Sequence, residues 1–286
     1  MRGRYLILFW GCALGLLAGC DKAKTPAYLY LPDWNFYSAP GQGTSSQKIT
    51  EFWVYQNEQL LGIYSPPAKV PVINLESSRI QILPGIKNYG LSDNRIRYPF
   101  FQALDTNMSF NEEEEVSVTP VFKYQENVDI EELGFESGNF LLQMPGNQGE
   151  FTAVTDPAYV FEGNRCGKGV LLAGNSKLYY KDDINREFTA GNLYFLEMNY
   201  SCNNRFSVGL IVTEASGETK EFVLSVNPTQ ETDGVPVWNK IYVDFSAVPL
   251  KHLQAIHYEF YIEAVPDVFN KPVEVYLDNL KWVKWL

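Results

Sequence analysis

The chain has 286 residues, 15% of them aromatic, with 34 acidic against 23 basic side chains and a net charge of −11. So acidic a surface excludes nucleic acid and anionic lipid as electrostatic partners. With two histidines and four cysteines, there is little material for a histidine-based catalytic or metal centre, and nothing calls for a cofactor.

Arg2 and Arg4 open the chain with positive charge, and the apolar run from Tyr5 to Leu17 follows. That run is shorter than the ~20 residues of a membrane-spanning helix. A basic start, a short apolar middle and a small-residue exit describe a secretory signal. The exit Leu17-Ala18-Gly19-Cys20 resembles the bacterial lipobox. The resemblance implies cleavage before Cys20, diacylglycerol on its sulfur and a fatty acyl chain such as palmitate on the new amine. Each buried lipid methylene contributes ~0.8 kcal/mol, so several chains on one residue hold firmly. The expected location is the cell envelope, as an outer-membrane lipoprotein; the leaflet and the side it faces stay open.

Residues 1–19 are therefore read as the signal peptide and 20–26 as a tether. Residues 27–124 are read as a small β-sandwich, 125–132 as a linker and 133–286 as a second sandwich. The whole is expected to be all-β, because Gly and Pro are frequent and long amphipathic helical patterns are absent. Within 27–124, Ile49 to Tyr55 and Leu60 to Tyr64 form a hairpin about Asn57-Glu58. Val70 to Ile73, Arg79 to Leu83 and Val116 to Tyr124 add strands, with a turn at Pro84-Gly85. This suits an immunoglobulin or transthyretin-type sandwich. Trp34, Phe36 and Tyr37 sit near a Gly-rich stretch and are expected to pack rather than to stack on sugar. Glu112 to Glu115 lacks the Gly and Asp/Asn spacing of a calcium loop and reads as solvated.

In 133–286, Leu193 to Asn199, Phe206 to Glu214, Lys220 to Val226, Lys240 to Phe245 and Ala255 to Glu263 have strand length and composition, with turns at Ser216-Gly217 and Asp233-Gly234. The last of these alternates, placing Ile256, Tyr258, Phe260 and Ile262 on one face and His257, Glu259, Tyr261 and Glu263 on the other. Cys166 and Cys202 fall in this half, either as one disulfide or as two buried thiols.

Four segments in order, "GFESGNF", "VFEGNRCGKGVLLAG", "VPVWNKIYVDFSAV" and "VEVYLDNLKW", are similar to galactose-binding-like jelly rolls, the fold of many carbohydrate-binding modules. The resemblance implies a glycan site on a sheet face, with His257, Glu259 and Tyr261 as candidates, or in the loops at one end, with Trp238, Tyr179 and Tyr180. Trp282 and Trp285 are expected to be core or edge cover. Many members hold a structural calcium, and Glu136 and Asp278 occupy the matching positions. The alternative is that Asp278 and Asn279 only shape a bulge and Glu136 is solvated.

No Gly-x-Ser-x-Gly elbow or His-Glu-x-x-His motif is present, so catalysis is not expected. Two functions remain open: a surface glycan-binding lipoprotein whose partner is a polysaccharide, or a structural or adhesion subunit whose partner is an outer-membrane protein assembly.

Overall fold

A computed structural model describes residues 25–230 and 235–286. The signal peptide, Cys20 and the Asp233-Gly234 turn lie outside the described residues. The fold is all-β, with one short helix among the described residues.

The first module is a sandwich of ten strands: β1 (Ala27–Leu31), β2 (Asn35–Tyr37), β3 (Glu51–Gln56), β4 (Gln59–Tyr64), β5 (Ala68–Val72), β6 (Ser78–Lys87), β7 (Arg95–Arg97), β8 (Leu104–Met108), β9 (Glu115–Ser117) and β10 (Val121–Lys123). One layer runs β4-β3-β6-β7, with β8 also on β6; the other comprises β5-β1-β9 and the β10-β2 pair. The β3–β4 hairpin turns at Asn57 and Glu58, both at positive φ, the geometry a tight two-residue turn demands. Pro84-Gly85 makes no turn: it lies inside β6, whose ladder to β3 runs through both residues. Trp34 and Phe36 pack, edge-on to Phe52 at 5.8 Å and tilted against Phe101 at 4.7 Å.

The second module is a jelly roll of β11 (Val128–Leu133), β12 (Leu141–Gln143), β13 (Glu150–Val154), β14 (Cys166–Leu171), β15 (Leu178–Asp182), β16 (Tyr194–Cys202), β17 (Phe206–Glu214), β18 (Gly217–Val226), β19 (Asn239–Asp244), helix α1 (Val248–Lys251), β20 (Ala255–Ala264) and β21 (Val273–Trp285). Its sheets are β13-β14-β21-β16-β19, with β11 also on β21, and β12-β15-β20-β17-β18. Alternation holds for Tyr258, Phe260 and Ile262, which enter the core between the sheets, as does Trp282, whereas Ile256, expected beside them, is exposed at the start of the strand. Burying a large apolar side chain contributes about 1.5–3 kcal/mol, and this core supplies most of the module's stability.

One expectation is corrected here. Most of the expected linker is strand: Val128 to Leu133 pairs antiparallel with Trp285 to Leu280. The "FESG" segment is a turn, with Phe135 fully buried against Phe140 and Phe151.

The modules share a seam. Phe195, Tyr242 and Val283, on the outer face of the β16/β19/β21 sheet, belong to the first module's apolar cluster. Tyr98 meets Phe195 and Tyr242 at ring distances of 5.4 and 5.0 Å, and Phe100 meets Trp285 at 4.8 Å. Backbone joins as well: Tyr89 N–H donates to Tyr242 O at 2.8 Å. One outer face of the jelly roll is therefore covered over much of its length, which leaves the opposite face and the loop ends as the places a ligand can reach.

Candidate functional site

On the uncovered sheet, β15, β20, β17 and β18 lie side by side. They bring Tyr179, His257, Glu259 and Tyr261 to one face, as the alternation of β20 foretold for the last three. Tyr261 sits over Gly209, where a Cβ would run into its ring, and meets Tyr179 edge-on at 5.8 Å. The Lys220 ammonium lies 4.7 Å from the Tyr179 ring centre and 4.9 Å from that of Tyr261. As a result Tyr261 is 0% exposed, its hydroxyl is buried without a partner, and burial pushes its pKa well up. Glu259 is held by Lys181 at 2.7 Å, and His257 stands 3.9 Å from Glu259. This face is a covered aromatic pair under a lattice of lysine–carboxylate contacts, not an open stacking platform.

Tyr180 is corrected: on β15 it points the other way, into the core at 6% exposure, with its hydroxyl donating to Gly149 O at 3.1 Å. Tyr179 and Tyr180 therefore do not join Trp238 at a loop end.

Trp238 lies at a different place, over the far part of the other sheet. Its ring is 5.4 Å from Phe161 and 6.3 Å from Tyr276, inclined at 56° and 65°. Phe161 is 39% exposed, and Val235 and Val237 beside Trp238 are also exposed. Tyr159 stacks on Tyr276 at 5.6 Å, with Lys168 over both rings. Glu162, next to Phe161, lines an open cleft of 430 Å³ with Thr44, Glu132, Glu136, Asp278 and Asn279. Sequence reasoning found Trp238 but missed Phe161, because the segment 155–165 has no strand pattern to say that it folds back over the sheet.

Glu136 and Asp278 do meet in that cleft. The Glu136 carboxylate accepts from the backbone N–H of Asn164 at 2.8 Å and of Arg165 at 3.1 Å; the first of these contacts is the main reason its pKa is lowered. Asp278 accepts from the N–H of Glu162 at 3.2 Å and of Asn279 at 2.9 Å. Burial pushes Asp278 up to about 6 against those bonds, with Glu136 adding a smaller push. Both carboxylates are thus committed to N–H donors, and among the described residues no three carboxylate, His or Cys groups converge as metal ligands. The pair does not fit a calcium centre, which needs six to eight oxygens. Asn279, at φ 47°, is the extra residue of a bulge opposite β16.

Cys166 and Cys202 are free thiols. They lie on β14 and β16 with β21 between them, so they stand two strand spacings of ~4.8 Å apart, beyond disulfide reach. They also face opposite ways: Cys202 enters the core, whereas the Cys166 thiol donates to Tyr159 O at 3.2 Å. Burial raises both to about 12, which keeps them unreactive.

A second cleft, of 330 Å³, is lined by Arg186, Phe188, Tyr194, Trp282 and the carboxylates of Asp129, Glu131 and Glu187. Its rings are already occupied: Phe188 stacks on Tyr194 at 4.1 Å and on Tyr258 at 5.0 Å, and Arg186 lies over Trp282 at 4.8 Å. Arg186 is tied to Asp182 and Glu131, each at 2.6 Å. This is a structural clamp for β11 and leaves no ring face free. His252 is likewise fixed, between Glu214 at 3.1 Å and Glu221 at 2.9 Å.

No family model matches the chain, and no curated protein does. Solved structures do. A β-sandwich carbohydrate-binding module of promiscuous specificity is 11% identical, covering 92% of this chain and 99% of that one, at a TM-score of 0.37. A xylan-binding domain is 17% identical over 54% of this chain and 94% of its own, again at 0.37. The enzymatically active domain of bacteriophage CBA120 tailspike protein 4 is 9% identical at 0.36 over 55% of this chain, which spans 19% of that chain. Likenesses of this depth carry no functional conclusion for the present chain.

Proposed function

We propose that the chain is a lipid-anchored, non-catalytic surface protein that binds glycan through its second module, at the loop end bearing Trp238 and Phe161. The observation that carries this reading is an indole and a phenyl ring left partly in solvent beside an acceptor-rich cleft. The apolar C–H face of a pyranose would lie against a ring, where the negative π face attracts it. Its hydroxyls would donate to Glu162 and to the Asn279 side-chain carbonyl oxygen, both of which line the cleft. Carboxylate acceptors favour a neutral sugar here over an acidic one. The anchor is supported by the Leu17-Ala18-Gly19-Cys20 motif, and a Cys20→Ala chain should lose its acyl mass and leave the membrane fraction.

Affinity electrophoresis of the full chain in neutral detergent, across a panel of neutral polysaccharides, tests the site. Retardation in at least one gel is expected, lost in Trp238→Ala, reduced in Phe161→Ala and kept in Tyr37→Ala, whose exposed ring lies in the first module. Free migration in every gel, or retardation indifferent to Trp238, sinks the reading.

A second reading, a subunit of an outer-membrane assembly, is favoured by one patch. Leu172, Val265, Val268 and Phe269 are all exposed, and the Gly174 N–H donates to Phe269 O at 3.0 Å, which draws two of these loops together. Clustered apolar exposure marks protein contact. Gentle detergent extraction should then recover the chain with a membrane protein, and Phe269→Asp should release it; recovery as a lone monomer counts against this reading.

A further inference from the structure

The seam between the modules holds a cleft of 270 Å³ whose lining differs in kind from the rest of the surface. Three lysines line it, Lys48, Lys87 and Lys240, together with Thr50, Tyr89, Tyr200, Ser225, Asn227 and Asn239, and no carboxylate does. In a chain with 34 acidic and 23 basic side chains, a carboxylate-free hollow lined by three lysines is not what random placement gives.

Two of the three charges are not spent elsewhere. Lys240 is buried and paired with Glu197 at 3.1 Å. That one carboxylate also feels the buried Lys281, so the ground beneath the cleft is already short of negative charge. Lys48 touches only a neutral acceptor, the Asn239 side-chain carbonyl. Among the described residues Lys87 makes no ion pair; Glu51, a carboxylate that feels its charge, is held by Arg95 at 3.3 Å. Burial and then the neighbouring Lys87 lower the pKa of Lys48. Two like charges facing one hollow repel, and a bound anion would relieve that repulsion. Neutral donors stand beside them. The Thr50 hydroxyl is buried without a partner. The Tyr200 hydroxyl accepts from Asn239 at 3.1 Å, which leaves its own hydrogen to give.

We propose that this cleft is a receptor for an oxyanion group, a carboxylate, sulfate or phosphate, held by Lys48 and Lys87 and oriented by the Thr50 and Tyr200 hydroxyls. Residues of both modules form it, so the bound anion bridges the two. The site is separate from the Trp238 loop end and does not depend on the glycan reading. The same chemistry is carried by a free inorganic anion and by an acidic sugar unit, and the titrants tell these apart.

The test is isothermal titration of the full chain in neutral detergent with sodium sulfate, inorganic phosphate and glucuronate in turn, chloride keeping the ionic strength constant. Saturable binding of at least one is expected, weakened roughly tenfold or more, ~1.4 kcal/mol, by Lys87→Ala and by Lys48→Ala. Lys87→Gln removes the charge while keeping a polar side chain, and should melt as the parent does while losing the same affinity. Binding of glucuronate alone assigns an acidic sugar; binding of sulfate or phosphate assigns the inorganic ion. Lys69→Ala removes a lysine paired with Glu115 on another face and should change nothing. Two outcomes overturn the proposal: no saturable heat from any titrant up to about 10 mM, or equal weakening by Lys69→Ala and Lys87→Ala, which would reduce the effect to bulk charge.

Discussion

Glu197 sits in a β-strand at 0% exposure, accepting from the Tyr98 hydroxyl at 2.9 Å and the Tyr124 hydroxyl at 3.0 Å while pairing with Lys240. Removing one partner of a buried pair leaves the other charge uncompensated, which typically costs about 3–5 kcal/mol. Glu197→Ala should therefore lower the unfolding free energy read from urea denaturation by that amount, and a loss under about 1 kcal/mol would show that water reaches the site. Asp278 makes a pH prediction. Its folded pKa, about 6, lies above its unfolded value of ~3.9. The folded state thus holds the proton more tightly, and the group's contribution is full below about pH 4 and lost as pH rises through 6. The span is at most about 3 kcal/mol. Thermal melts from pH 4 to 7 should show that decline in the parent and a flatter profile in Asp278→Asn; parallel profiles would refute it.

At the scale of elements, Gly209 lets the uncovered sheet close. A Cβ there would run into the Glu221 carbonyl oxygen of the neighbouring strand and the Tyr261 ring, both of which are fixed. Gly209→Ala should cost about 1–3 kcal/mol, the usual range for overpacking, read as a lower melting temperature; an unchanged one would mean that β17 and β18 can part freely. Several strands were legible because their alternation is plain, as in β17, β20 and the β3–β4 hairpin. β11 was not, because Asp129, Glu131 and Glu132 give it the look of a polar connector. β16 is buried along its whole length, Glu197 and Asn199 included. Polar residues on a strand's outer register announce water, and nothing in one strand says that another module will cover it. For the same reason His257, Glu259 and Tyr261 were placed on the right face, whereas their cover was not foreseen: Lys220 arrives from two strands away.

For the whole molecule, the shared seam makes the two modules one cooperative body. Phe195, Tyr242, Val283 and Trp285 would be stripped of their cover if the halves parted, exposing apolar surface worth several kcal/mol in total. Calorimetry of the full chain should show a single unfolding transition; two resolved peaks would mean that the seam is a loose contact. The pairing of β11 with the last six residues of β21 has a mechanical side. A pull between the N-terminal end and the loops around Trp238 enters the jelly roll through β11 and loads that ladder, with the aromatic seam bearing tension in parallel. Such a pull would strain a broad weld rather than a thin hinge, and the two modules would keep their mutual angle until the weld itself tore.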